Sequence, residues 1–302
     1  MRVIFYFYPF LAIVLWAGNV IVSRLAATAI APAAITFYRL LLVLLVMTPF
    51  MVKPLWANRL QIRKNFWKLA LGGFMSMVLF QSLSYRAAES TTATNMAIVT
   101  ALIPLLTAIL TTLLLREPVT VGMVAGGVVS FCGLLYVVGQ GSVGAMLQHG
   151  VHAGDGLMLG AAFSFSLYGV LLRRWRMTVP AWQAIYVQAV SASILMLPFF
   201  LRLPSGTANL DGTTLPLIIY AGLGSSIALS FFWIEGIKHL GPNRCSIFIN
   251  LLPVLTALLA IVWLGESLHI YHVIGGGLTL IGVLLAQLLH RPIFVLRPQY
   301  RP

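Results

Sequence analysis

Acid is what this 302-residue chain has least of: six Asp and Glu stand against nineteen Lys and Arg, and charged residues of both signs make up only 8%. A soluble domain carries roughly 25% charged residues. With 60% of the chain hydrophobic, a water-soluble fold of this length has no polar coat large enough to cover it. Cysteine is nearly absent too. Cys132 falls within one apolar run and Cys245 opens another, so no disulfide is expected and no metal-ligand spacing exists. The six His (His149, His152, His239, His269, His272, His290) form neither an HxxxH nor an HxxEH pattern, and only Glu266 and His269 come close together. A polytopic membrane enzyme or lipid-linked transferase would need clustered acids, bases or metal ligands, so we expect no catalytic residue, no metal and no cofactor.

What the chain has is apolar runs long enough to cross about 30 Å of hydrocarbon as helices. Ten can be read: Ile4–Val22, Ala34–Met51, Leu69–Ala87, Asn95–Leu115, Val121–Gly139, Leu157–Leu172, Ala181–Leu201, Leu215–Gly236, Cys245–Leu264 and Ile270–Leu289. The first has the length and flank of a signal peptide, but nine similar segments follow, so it reads as a retained helix. The expected fold is an all-α polytopic membrane protein.

A formal charge of +13 could indicate a nucleic-acid partner, so the position of the basic residues decides. Arg24, Arg86 and Arg202 fall in one set of alternate connections and Arg39 within a span, leaving fifteen of nineteen Lys and Arg in the other set, which includes both termini. That bias places both termini in the cytoplasm. The basic excess is topology, and the expected partners are a bilayer and a small molecule, with no nucleic acid.

The sequence also repeats itself. Ile103–Leu135 laid on Leu252–Leu284, an offset of 149, gives twelve identities in 33 positions, among them Pro104/Pro253, Thr107/Thr256, Glu117/Glu266, Gly126/Gly275, Gly127/Gly276 and Gly133/Gly282. The same offset pairs Arg24 with Arg173, Pro49 with Pro198, Gly73 with Gly222 and Ser76 with Ser225. Five spans separate equivalent positions, and five is odd, so each element meets its copy pointing the other way through the membrane. The expectation is ten transmembrane helices as two inverted five-helix repeats, residues 1–140 and 155–290, followed by a cytoplasmic tail, 291–302. Such repeats give a carrier two related states around a central site. Pro104 and Pro253 each remove a backbone hydrogen bond within a span and are the gating candidates. The paired glycines read as close-packing faces.

Laid out this way, the chain resembles the drug/metabolite transporter superfamily, and within it the EamA-type ten-helix exporters. The likeness rests on Leu15–Asn19 (LWAGN), Phe37–Leu41 (FYRLL), the proline-containing fourth and ninth spans, and a Glu shortly before a Gly-rich helix in each half. It departs where Arg116-Glu117-Pro118 replaces the Gly-Glu kept at Gly265-Glu266. The resemblance implies export or exchange of small metabolites, often amino acids or related compounds, across a bacterial inner membrane.

All six carboxylates, Glu89, Glu117, Asp155, Asp211, Glu235 and Glu266, lie at span ends or in loops. Cation-coupled carriers commonly use an intramembrane Asp or Glu, and the small multidrug carriers that resemble half of this architecture have such a Glu in their first helix, where this chain has Trp16 and Asn19. Exchange or downhill export is therefore expected over carboxylate-driven extrusion, with coupling through a His or a span-end carboxylate such as Glu235 as the alternative. Glu117 and Glu266 are expected to serve the N-termini of the helices that follow them. Arg39 is the one basic residue well inside a span, suited to clamp a carboxylate or phosphate, or else to snorkel or tie helices through backbone carbonyls. With it, Trp16, Asn19, Tyr38, Gln81, Tyr85, Asn95, Tyr168, Gln188, Trp233 and Asn250 are the candidate substrate-binding residues. Such a lining suits a zwitterion with an apolar side chain, and a multidrug, sugar or nucleobase carrier is the alternative. Monomer and homodimer are equally compatible with the sequence.

Overall fold

The computed structural model describes residues 3–116, 118–142, 152–240 and 248–289. Glu117, Cys245 and the tail 291–302 lie outside the described residues. Within them all regular structure is helical, as hydrocarbon requires of a chain whose backbone groups have no water to bond. Eight helices are long and apolar enough to cross a membrane: α1 (Phe7–Ala26), α2 (Pro32–Ala57), α3 (Arg59–Ala87), α4 (Ala93–Leu115), α5 (Val121–Val138), α6 (Ala153–Trp175), α7 (Ala181–Leu201) and α8 (Thr214–Gly236). Two shorter apolar helices follow, α9 (Phe248–Leu264) and α10 (Ile270–Ala286).

The third helix begins at Arg59, not at Leu69. Its first turns carry Arg59, Arg63, Lys64 and Lys68, a stretch that hydropathy cannot register because a helix emerging from the hydrocarbon needs no apolar run. The second helix likewise continues through Pro49 and Pro54 to Ala57. The Arg59 guanidinium then stacks over Trp56, 5.2 Å from the ring centroid.

Four helices are locally irregular. α3 passes through a π-helical turn at Phe74–Leu79 and α8 through another at Tyr220–Ala228. α4 consists of Ala93–Thr100 and Ile103–Leu115, and α9 of a 3-10 turn, Phe248–Leu251, followed by Leu252–Leu264. Pro104 and Pro253 occupy the first turn of each second segment. They act as restarts rather than mid-helix kinks, because a first-turn residue has no intrahelical acceptor for its N–H. The two second segments also end alike: Arg116 and Gly265, 149 positions apart, both adopt left-handed backbone, with φ of 58° and 64°.

α5 and α10 make the most extensive helix pair. Gly126 packs on Gly282 and Gly133 on Gly275 so closely that no Cβ could be accommodated at any of the four, and this crossed order makes the pair antiparallel. Elsewhere α2 packs on α7, α4 on α9, α1 on α8 and α9, and α6 on α3 and α4. One end of the bundle is closed by an apolar plug of Val22, Ala26, Ile30, Ile35, Tyr85 and Ile218.

Candidate functional site

Beneath that plug lies a cavity of about 550 Å³ walled by α1, α2, α3, α6, α7 and α8. It extends to the α6–α7 turn at Met177 and Val179, the opposite end of the bundle from the plug. Its wall is mostly apolar with a few convergent polar groups, the usual make-up of a small-molecule site.

Arg39 stands at the deep end. Seven residues past the start of α2, it sits about 10 Å along the helix axis, and it is 3% exposed. Its guanidinium donates to Gln81 Oε1 at 2.7 Å and to the Tyr85 hydroxyl at 3.0 Å on α3. On α8 it donates to Ser226 Oγ at 2.8 and 3.2 Å and to Ser225 Oγ at 3.3 Å. The π-helical turn of α8 brings two adjacent serines, Ser225 and Ser226, onto one guanidinium. Arg39 thus neither snorkels to an interface nor rests on backbone carbonyls. Among the described residues no carboxylate forms an ion pair with it; all its acceptors are neutral.

Trp16, Asn19, Gln81, Tyr168, Gln188 and Trp233 line the same cavity. Trp16 meets Phe165 edge-on at 5.7 Å between centroids, and Tyr168 donates to Gln188 Oε1 at 3.0 Å. Asn19 is buried with its Oδ1 unbonded. Gln188 and Arg39 are 149 positions apart and occupy the same wall from α7 and α2, as Tyr168 and Asn19 do from α6 and α1.

The other candidates stand elsewhere. Tyr85 is 1% exposed and supports Arg39 from behind. The Tyr38 hydroxyl donates to the Ala208 carbonyl, and its ring packs on Phe37 and Phe200. Asn95 borders a separate polar pocket at the closed end. Asn250 lies in the 3-10 turn of α9, next to the cavity residue Ile249 but not itself on the wall. Pro104 and Pro253 also lie off the wall. Residues the sequence reading passed over include Ser225 and Ser226, brought in by an irregular turn that periodicity does not encode, and Phe165, one aromatic among many.

Glu266 serves a helix N-terminus, but not that of the helix following it. Its carboxylate accepts from the backbone N–H of Ala93 at 2.7 Å, from that of Thr94 at 3.3 Å and from the Thr94 hydroxyl at 2.9 Å, capping α4. α10 starts at Ile270 with His269 and His272 as its cap. The loop Gly265–His269 therefore reaches across to the first half, a contact that linear proximity hides.

The sequence model of the EamA-like transporter family matches this chain twice, over residues 3–139 and 152–288. The uncharacterized transporter YyaM of Bacillus subtilis (strain 168) is 30% identical over 229 residues, covering 75% of each chain. An uncharacterized transporter of Archaeoglobus fulgidus is 26% identical over 284 residues, 91% of this chain and 94% of that one. A protein of known crystal structure, 20% identical, superposes with a TM-score of 0.65 over 96% of this chain and 99% of its own, and so shares the fold. By sequence across nearly its whole length, the chain belongs to the EamA-like transporter family.

Proposed function

We propose that this protein exports or exchanges small amphipathic metabolites, amino acids or related carboxylates foremost, across the inner membrane of a bacterium by alternating access between two inverted five-helix repeats. The observation that carries the substrate class is Arg39: a buried guanidinium at the deep end of an aromatic-walled cavity, with neutral acceptors alone among the described residues. A buried cation without a counter-ion is costly, and a substrate carboxylate matches the guanidinium fork. Trp16, Phe165 and Trp233 suit the apolar part of such a substrate, and Asn19, Tyr168 and Gln188 its remaining polar groups.

The repeat reading draws support from packing. Under the offset of 149 the contacts exchange among themselves: α1 on α8 becomes α6 on α3, and α1 on α9 becomes α6 on α4, while α2 on α7, α4 on α9 and α5 on α10 map onto themselves. The two family matches are displaced by the same 149. Since the α6–α7 turn borders Arg173, Arg174 and Arg176, the positive-inside rule puts the open end of the cavity at the cytoplasm, where an exporter loads. The restarts at Pro104 and Pro253 are the proposed gate hinges. Counterflow tests the reading: proteoliposomes loaded with one amino acid at a time, with labelled amino acid outside. Accumulation driven by the loaded compound establishes exchange, and its absence for every amino acid defeats the substrate assignment.

A further inference from the structure

A carboxylate at the closed end of the bundle has no part in that reading. Asp155, in the first turn of α6, is 3% exposed, although the sequence places it at a span end. Its Oδ1 accepts from the Thr91 hydroxyl and, at 3.4 Å, from Asn95 Nδ2. Its Oδ2 and the Oδ1 of Asn95 are both buried without a hydrogen-bond partner, and His152 Nδ1 stands 3.9 Å from Oδ2. Two buried acceptor oxygens in one contact, neither with a donor, are costly to keep. A cation bound at Oδ2 satisfies the carboxylate.

A polar pocket adjoins the residues that contact Asp155. Thr91, Asn95 and His152 border this pocket of about 240 Å³, which also includes Arg24, Glu89 and His272. Arg24 does not occupy the carboxylate, because its guanidinium donates to the Ala88 carbonyl. The charged or titratable groups around the site are Arg24 from α1, Glu89 from the α3–α4 turn, His152 beside α6, and Tyr271 and His272 from α10. Glu266 sits on the same first turn of α4, accepting from Ala93 and Thr94.

The junction is also where this end closes. Gly154 is pressed against the α3–α4 turn so tightly that a Cβ there would stand 2.6 Å from the Ala87 carbonyl. Asp155 and Glu266, both from the second half of the chain, together hold residues 91–95 of the first half. For this end to open, these contacts must part.

We propose that Asp155, with Asn95 and Thr91, binds a monovalent cation, a proton or Na⁺, and that its occupancy loosens the closed end of the bundle and so couples a cation gradient to transport. A cation on Oδ2 neutralises the carboxylate to which Thr91 and Asn95 donate through Oδ1. The charge-assisted contact between the halves is thereby weakened. The proposal rests on the alternating-access reading above, and its test needs no substrate.

In the full-length chain with both native cysteines replaced by serine, Ala88→Cys puts a reporter thiol at a fully buried position of the closed end. Its rate of labelling by a membrane-impermeant maleimide in detergent is followed with NaCl exchanged for choline chloride, and separately as pH is lowered without sodium. Each rate is divided by that of the same protein carrying Asp155→Asn, which cancels the thiol's own response to pH. The ratio is expected to be about fivefold or more higher in NaCl than in choline chloride if Na⁺ is the ligand, and to rise by as much on acidification if it is the proton. A ratio flat in both arms overturns the proposal. Should the reporter variant fail to fold, thermal midpoints of the unsubstituted chain and of Asp155→Asn in the same solutions decide: the first must respond to the cation and the second must not, and equal responses overturn it. Because counterflow is a separate measurement, failure of the amino-acid assignment leaves this result readable.

Discussion

Ser130 and Thr279 bond to each other across the α5–α10 contact: the Ser130 hydroxyl donates to the Thr279 carbonyl at 2.9 Å, and the Thr279 hydroxyl reaches the Ser130 carbonyl at 3.5 Å. The two are 149 positions apart, the offset at which the sequence repeats. Gly126 on Gly282 and Gly133 on Gly275 flank them, and the offset of 149 turns each of these contacts into the other. The proposed inverted repeat accounts for this pattern by a local two-fold axis passing between the two hydroxyls.

Space along this axis is unevenly distributed, which makes the packing role of the glycines testable. Gly126→Val or Gly282→Val drives side-chain atoms into the backbone of the facing helix and is expected to cost about 1–3 kcal/mol or more. Gly277 has nothing within 4 Å of an added Cβ and Gly127 only Leu105 at 3.9 Å, so alanine there is expected to change stability by no more than about 0.5 kcal/mol. Denaturation midpoints of the purified variants in one detergent check the contrast. Equal losses in both sets would show that α5 and α10 do not pack in this register.

Arg116 and Gly265 share a left-handed φ, but only glycine adopts it without steric cost. Arg116→Gly is therefore expected to stabilise the protein by about 1 kcal/mol, and Gly265→Ala to destabilise it by a similar amount. Thermal midpoints of the two variants should move in opposite directions.

Removing the Glu266 carboxylate strips the cap from Ala93 and Thr94. Glu266→Ala is expected to cost about 0.5–2 kcal/mol, whereas Glu266→Gln keeps one acceptor oxygen and should lose less. Hydrogen exchange of the α4 amides locates the effect: the increase belongs at residues 93–96. An increase confined to the start of α10 would place the carboxylate on its own helix instead.

The gross positions of the eight membrane-length helices and of the two shorter apolar ones were legible in the sequence because each is written in a long apolar run. The start of α3 at Arg59 was not, because helix outside hydrocarbon leaves no hydropathy signal. Arg39 could be picked out as the lone basic residue within a span, yet its acceptors Ser225 and Ser226 could not, since a π-helical turn sets which side of α8 they face. Tyr38 and Asn95 looked equivalent to the residues on the cavity wall by composition and depth. What separates them is direction around the helix: Tyr38 turns to Ala208 and Phe200, and Asn95 to Asp155. Asp155 itself shows the limit of position as a guide, since the N-terminal turn of α6 is buried by the α3–α4 turn folded over it.

If Arg39 recognises a carboxylate, its substitution must change which substrates compete, not merely how fast they move. Arg39→Gln removes the charge and keeps a polar side chain near Gln81 and Ser226. Arg39→Lys keeps the charge but not the fork that reaches Gln81, Tyr85 and both serines together. With charge-assisted hydrogen bonds contributing about 1.5–3 kcal/mol, the apparent affinity for a transported amino acid should fall by about tenfold or more in Arg39→Gln and by less in Arg39→Lys. Loss of a helix tie could weaken any substrate, so the deciding comparison is with the same amino acid as its carboxamide. The unsubstituted protein should prefer the carboxylate in competition counterflow, and Arg39→Gln should treat acid and amide nearly alike. A preference of unchanged size in Arg39→Gln would mean that the guanidinium only braces α2 against α3 and α8, and the substrate's negative group would have to be sought at another wall of the cavity.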